Sequence, residues 1–222
     1  MHKNAADRNS IDARSAAFVR SGAMELIQAT PALSAYTAES EAVDHGHPLV
    51  RSTAAGLRAE SGDAYAYAEA AYVHIRDRIA HSADIGEQRV TWRASDVLEQ
   101  GHGICHAKSH ALAALLRAEG IPTALCYQRL TEDDGSAPLV HGLVAVRLPG
   151  RARWDRQDAR GNIPGIDARF SLDAEQLAWR VREELGEADC PVLFDAPHPE
   201  VLAALRAAPD RQTLWRTLPT DF

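Results

Sequence analysis

Between Gly101-His102-Gly103 and Gly120-Ile121-Pro122 the chain has room for one helix and little else. Two glycines break the backbone before it, and a glycine followed shortly by a proline ends it. Within it, Ala111, Leu112, Leu115 and Leu116 fall on one stripe. The segment from about Cys105 to Ala118 must therefore bury that stripe against a second layer. Its first residue is a cysteine, and that position bears on chemistry as well as on folding.

The start of a helix holds backbone N–H groups without intrahelical partners and the positive end of the macrodipole, and both favour a thiolate. Gly101 and Gly103 let the backbone come close to a substrate carbonyl, with first-turn N–H groups, Gly103 among the candidates, available to an oxyanion. A thiol used as a nucleophile also needs a proton acceptor and a group that orients the acceptor. Downstream, Thr123 to Leu130, Val140 to Leu148 and Trp154 to Ala159 read as three strands of an antiparallel meander, with an acidic turn at Glu132-Asp133-Asp134 as a solvated hairpin tip. His141 and Asp158 occupy equivalent points on the second and third strands, and neighbouring strands place such side chains together on one face, on which the helix is expected to pack. The period of two puts Trp154, Arg156 and Asp158 on one side and Asp155 on the other, so Asp158 is the expected orienter, with Asp155 as the fallback and Trp154 as a cover for the site. Gln128, on the intervening strand, is a further candidate donor to substrate or oxyanion.

The remaining elements frame this core. Pro48 opens a helix running to about Glu60, and Asp63 caps a longer one carrying Ala68, Ala71, Tyr72, Ile75 and Ile79 on a buried face. Ala94 to Gln100 forms a short helix capped by Ser95 or Thr91. Asp173 with Gln176 makes a capping box for a helix reaching about Leu185, and another helix spans about Glu200 to Ala207. Residues 1–22 read as a flexible extension, and 23–222 as one domain with its core at about 63–170 and a helical extension at 171–222.

Composition narrows the function classes. A net charge of -7 offers no basic field for nucleic acid or anionic membrane surfaces, and no stretch approaches the length of a spanning helix. The polar start, without a following apolar run, and three cysteines, too few for a disulfide framework, point to a cytoplasmic protein with reduced thiols. Cys126, between Leu125 and Tyr127, reads as a buried strand residue, and Cys190 likewise as no nucleophile. His106 and His110 lie four apart on one helical face beside His102 and Cys105, as zinc ligands can, but the helix lacks the Glu of a zinc-protease motif and any paired cysteines; no metal and no cofactor is expected. His102 and His106 are placed to add positive charge near the thiolate. Lys108 is either a neighbour of the thiolate or a snorkelling surface lysine. Asp44, His45 and His47, and the pair His81 and Asp84, are either a second acid–base set or substrate contacts, or they cap helices and line loops.

Three blocks in order carry a resemblance. Gly103-Ile104-Cys105-His106-Ala107-Lys108-Ser109, with Ala113 to Ala118 and Gly120-Ile121-Pro122, is similar to the nucleophile helix of the transglutaminase-like superfamily. His141-Gly142-Leu143-Val144-Ala145-Val146 resembles its histidine strand, and Trp154 to Asp158 with Ala159-Arg160-Gly161-Asn162 resembles its aspartate strand. The resemblance implies an α+β, papain-like fold with the nucleophile helix packed on an antiparallel sheet. It implies a Cys105-His141-Asp158 triad and an acyl-enzyme thioester resolved by hydrolysis or by transfer to an amine. The calcium dependence of the large crosslinking members is not carried over, because the chain has no Asp-rich calcium loop. The implied partner is a peptide, protein or small amide substrate, and a catalytically silent peptide-binding module on the same fold is the alternative. The sequence carries no signal for oligomeric state.

Overall fold

The computed structural model describes residues 24–222. The predicted extension, 1–22, lies outside the described residues. The order is β1 (Ile27–Gln28), a 3-10 turn (Leu33–Thr37), α1 (Pro48–Ala59), α2 (Ala64–Arg78), β2 (Ala80–His81), α3 (Ala94–Gln100), β3 (His102–Gly103), α4 (Cys105–Ala118), β4 (Thr123–Leu130), β5 (Leu139–Val146), β6 (Asp155–Gln157), a 3-10 turn (Glu183–Leu185), β7 (Ala188–Asp189), β8 (Val192–Leu193), α5 (Pro199–Ala207) and α6 (Arg211–Thr217). The fold is α+β, with a four-stranded antiparallel sheet in the order β6-β5-β4-β7.

Local chemistry explains the first helices. Pro48 stands in the first turn of α1 behind His47, whose Nδ1 accepts from Leu49 N at 3.3 Å, and Asp63 caps α2 by accepting from Ala66 N at 2.8 Å. The cap of α3 comes from a distance, because Asp44 takes Ser95 N at 3.0 Å and Ser95 Oγ at 2.5 Å. Asp44 and His47 thus serve helix starts. Every residue of α4 from Cys105 to Arg117 is buried, with α1, α2 and α3 on one side and β4 and β5 on the other. Its Ala and Leu side chains join Val140, Val144 and Val146 of β5 in the main core, while Leu143 and Ala145 point into a second core with Tyr36, Ala124, Cys126 and Leu193.

That division corrects the expected packing. Side chains alternate along β5, so the face bearing Gly142, Val144 and Val146 is the one under α4, and His141 lies on the opposite side. Gly142 is the physical reason: a Cβ there would lie 3.0 Å from His106 Cα and 2.9 Å from its Cδ2, so α4 sits against a strand face with no side chain at that point.

Two further expectations change. The predicted third strand is reduced to the three residues of β6. Asp158 turns the chain out of the ladder by accepting from Arg160 N, two residues on, at 3.0 Å. The capping box at Asp173 and Gln176 does not open a helix. Gln176 Nε2 bonds Asp167 O at 2.9 Å, and Ala178 N donates to the Asp158 carboxylate at 3.1 Å instead of to a carbonyl one turn back. Tertiary partners outcompete the helical ladder, and 162–182 runs as an irregular strap. Among the described residues no helix is long and apolar enough to cross a membrane.

Candidate active site

α4 begins without a side-chain cap: Ile104 is its N-cap and offers no hydrogen bond. The first-turn N–H groups therefore remain available around the Cys105 sulfur, which is 8% exposed. His141 and Asp158 meet it at the edge of the sheet. β6 covers only Val144–Val146 of β5, so at His141 this edge carries no β6 partner. His141 Nε2 donates to Asp158 Oδ2 at 2.9 Å, and Cys105 is an electrostatic partner of the same imidazole, whose Nδ1 is the nitrogen not taken by the carboxylate.

Asp158 is 1% exposed and fully engaged. Its Oδ2 accepts from His141 and from Ala178 N, its Oδ1 from Arg160 N, and its backbone carbonyl from the Tyr72 hydroxyl at 2.7 Å. Helix α2 thus holds the Asp158 backbone, while His141, the turn at Arg160 and the strap at Ala178 hold its carboxylate. Asp155, the fallback, pairs instead with Arg151 and Arg153.

The electrostatics favour an ion pair. Burial pushes the Cys105 thiol up, but the charges and hydrogen bonds of His106 and His141 outweigh it and hold the thiol well below its ordinary range. Burial also opposes charge on His141, yet Asp158 and Cys105 override it and raise the imidazole to about 10. Cys126 and Cys190 move the other way, because burial pushes both thiols up.

The structure brings some other candidates to this centre and takes some away. His106 Nδ1 lies 3.4 Å from Cys105 Sγ, while His102 pairs with Ser82 Oγ at 3.1 Å and His110 with Trp92 O at 2.8 Å. Gln128 stands directly across from His141 in the β4–β5 register, but its amide donates to Asp189 Oδ1 at 2.8 Å and its Oε1 is buried without a partner. Trp154 is placed elsewhere. It packs edge-on against Tyr36 with ring centroids 5.0 Å apart and points its indole N–H at Gln28. The aromatic beside His141 is Trp179, at 5.0 Å and nearly perpendicular. It sits in the segment read as a helix, where no pattern distinguishes it. Gly103 pairs with His81 between β2 and β3, and a Cβ there would come within 3.1 Å of both Ala107 and Thr91, so its smallness serves close packing. Lys108 is 1% exposed and its ammonium bonds Ile79 O, so it does not snorkel.

Residues 51–159 match the family model of the transglutaminase-like superfamily. That stretch, just under half of the chain, is similar to the core of the superfamily. Its transglutaminase-like core holds Cys105, His141 and Asp158 within the matched stretch, and the family is one of cysteine-dependent enzymes. Among solved structures the chain is similar to a candidate cysteine protease from Cytophaga hutchinsonii, at 18% identity over 58% of this chain and 42% of that one, with a TM-score of 0.48. A protein described as a TGase matches at 16% identity over 66% of this chain and 42% of its own, with a TM-score of 0.41. A candidate protease from Parabacteroides distasonis matches at 19% identity over 55% and 24%, with a TM-score of 0.37. Each match spans less than half of the solved chain. No curated protein matches.

Proposed function

We propose that this protein is a cysteine-dependent acyl-transfer enzyme in which Cys105 is the nucleophile, His141 the acid–base group and Asp158 its orienter. The Cys105 thiolate attacks the carbonyl carbon of an amide or peptide-like bond, and the displaced pair goes to the carbonyl oxygen near the first-turn N–H groups of α4. His141 gives its proton to the leaving amine as the intermediate collapses to a thioester. Water, losing a proton to His141, then releases the acyl group as an acid and frees the sulfur. Transfer to an amine follows the same course with a different acceptor. The restricted access to Cys105 favours water, the smallest acceptor, and the reading is therefore hydrolytic, of protease or amidase type.

One observation carries the proposal: the line of contacts from the sulfur through one imidazole to a carboxylate that is wholly buried and saturated with donors. A histidine held this way is fixed in tautomer and orientation, which is what a thiol base requires. The test is selective alkylation. At about pH 6 an ordinary thiol is ionised to well under one per cent, so iodoacetamide should modify Cys105 at least ~100-fold faster than Cys126 or Cys190. Equal, slow labelling of all three would leave the fold as a silent binding module. An acyl-donor screen with Cys105→Ala as control, read by mass for a trapped thioester, then identifies the substrate class, and adding a primary amine separates hydrolysis from transfer.

A further inference from the structure

The Cys105 sulfur has a third imidazole against it that the triad does not use. β2 and β3 run parallel with His81 registered on Gly103, so the fold sets His81 beside the turn that delivers Cys105 to the head of α4. His81 is 7% exposed, and its ring lies within electrostatic reach of the Cys105 sulfur. Its Nδ1 is buried without a hydrogen-bond partner, 3.9 Å from Asp84 Oδ1. Asp84 is in no position to act on His81 as Asp158 acts on His141, because Arg160 clamps both its oxygens at 2.6 and 2.7 Å. Of the other titratable groups facing this spot, His106 touches the sulfur from the helix side and His141 from the sheet edge.

We propose that His81 is a further catalytic residue, donating one N–H to the Cys105 sulfur at rest and to the oxyanion formed on the substrate carbonyl during attack. The inference rests on the reading of Cys105 as the nucleophile. Burial, reinforced by Arg160, holds the His81 imidazole below its ordinary range despite Cys105 and Asp84, so it is neutral where His141 is charged. A neutral imidazole next to a thiolate is stable only with its proton on the nitrogen that faces the sulfur, which leaves a lone pair on the other. As the sulfur–carbon bond forms, the negative charge leaves the sulfur for the carbonyl oxygen, and the N–H follows it as a hydrogen bond without giving up its proton. Collapse returns the pair to carbon and expels the leaving group. An electrophile that stays neutral and an acid–base group that stays charged divide the two tasks between two histidines.

The experiment compares two reactions of the same sulfur in the full chain: acetylation by p-nitrophenyl acetate, which develops an oxyanion, and alkylation by iodoacetamide, which does not. In His81→Phe, which keeps a ring without a donor, the acetylation burst should slow by ~10²–10³-fold while alkylation, which loses only the resting hydrogen bond to the sulfur, changes by less than ~10-fold, and His81→Gln should recover a large part of the loss. If the phenylalanine variant does not fold, as judged by circular dichroism, His81→Ala takes its place in the same comparison. Equal losses in both reactions, an unchanged burst, or a glutamine variant no better than the apolar one would overturn the proposal. Absence of any burst in the wild type, with Cys105→Ala indistinguishable from it, would instead remove the reading of Cys105 on which the proposal stands.

Discussion

A carboxylate buried as deeply as Asp158 is tolerable only because three donors meet its oxygens, and those donors also decide its conformation. Lys108, on the same side of α4, is a less settled neighbour. Burial and Arg160 lower its ammonium to about 7 against the support of Asp158, Asp84 and Asp77. In the unfolded chain the same group titrates near its ordinary value, so between these limits the unfolded state binds more protons and stability rises with pH. The penalty of charging Lys108 is complete below about 7 and is relieved as pH climbs toward the ordinary lysine range. Denaturant unfolding of wild type and Lys108→Met at pH 7 and near pH 10 should show the wild type gaining relative to the variant by a few kcal/mol at the higher pH. A gap that stays constant would mean that the lysine titrates normally. The sequence leaves this residue open between two readings, because its spacing from Cys105 does not say what covers it.

At the scale of elements, the site depends on how closely α4 approaches β5. Gly142 has no side chain, His106 sits over it, and the helix start is thereby brought to the strand that bears His141. Gly142→Ala puts a methyl group within 3.0 Å of the helix backbone, and either the first turn of α4 or β5 must shift. The expected cost is about 1–3 kcal/mol in unfolding free energy, together with a clear drop in the alkylation rate of Cys105 at mildly acidic pH. Wild-type reactivity in a folded Gly142→Ala protein would show that the approach is not what places the thiol. The strap from 162 to 182 is the second element the site depends on. Gln157 brackets Ser171 with bonds of 2.6 and 3.2 Å, and Asn162 brackets Ala168 with bonds of 3.2 and 2.8 Å, so the strap is tied by side chains acting as substitutes for a ladder. Helices α1, α2 and α4 were legible because caps, breakers and apolar stripes lie within a turn or two of one another. The strap was not legible as a strap, because its hydrogen-bond partners are remote in the chain, Asp158 twenty residues from Ala178 and Arg76 92 residues from Ala168, and a local capping box promises a helix that those partners forbid.

Across the whole molecule, one buried cation holds distant segments together. Arg117, 3% exposed near the end of α4, donates to Thr123 O at 3.1 and 2.7 Å, to Ala38 O at 2.8 Å and to Asp195 O at 2.8 Å. A lysine reaches the same region with a point charge and cannot span three carbonyls in one plane, so at least one is left buried and unpaired. Arg117→Lys should lower the unfolding free energy by about 1–3 kcal/mol while Cys105 keeps its alkylation rate, since the site lies at the other end of the helix. A variant as stable as the wild type in denaturant titration would show that water replaces the fork. By itself the sequence determined the helix that starts with a cysteine, the strand bearing His141, the short strand just before Asp158, and the resemblance to the family, because each is written in residues adjacent in the chain. The tertiary structure alone decided that α4 lies on the glycine face of β5, that Cys105, His141 and Asp158 meet at a sheet edge, that Trp179 rather than Trp154 lies beside His141, and that Lys108 is buried. Those outcomes depend on which surfaces pack together, and a strand or loop residue carries no local mark of the neighbour it will meet.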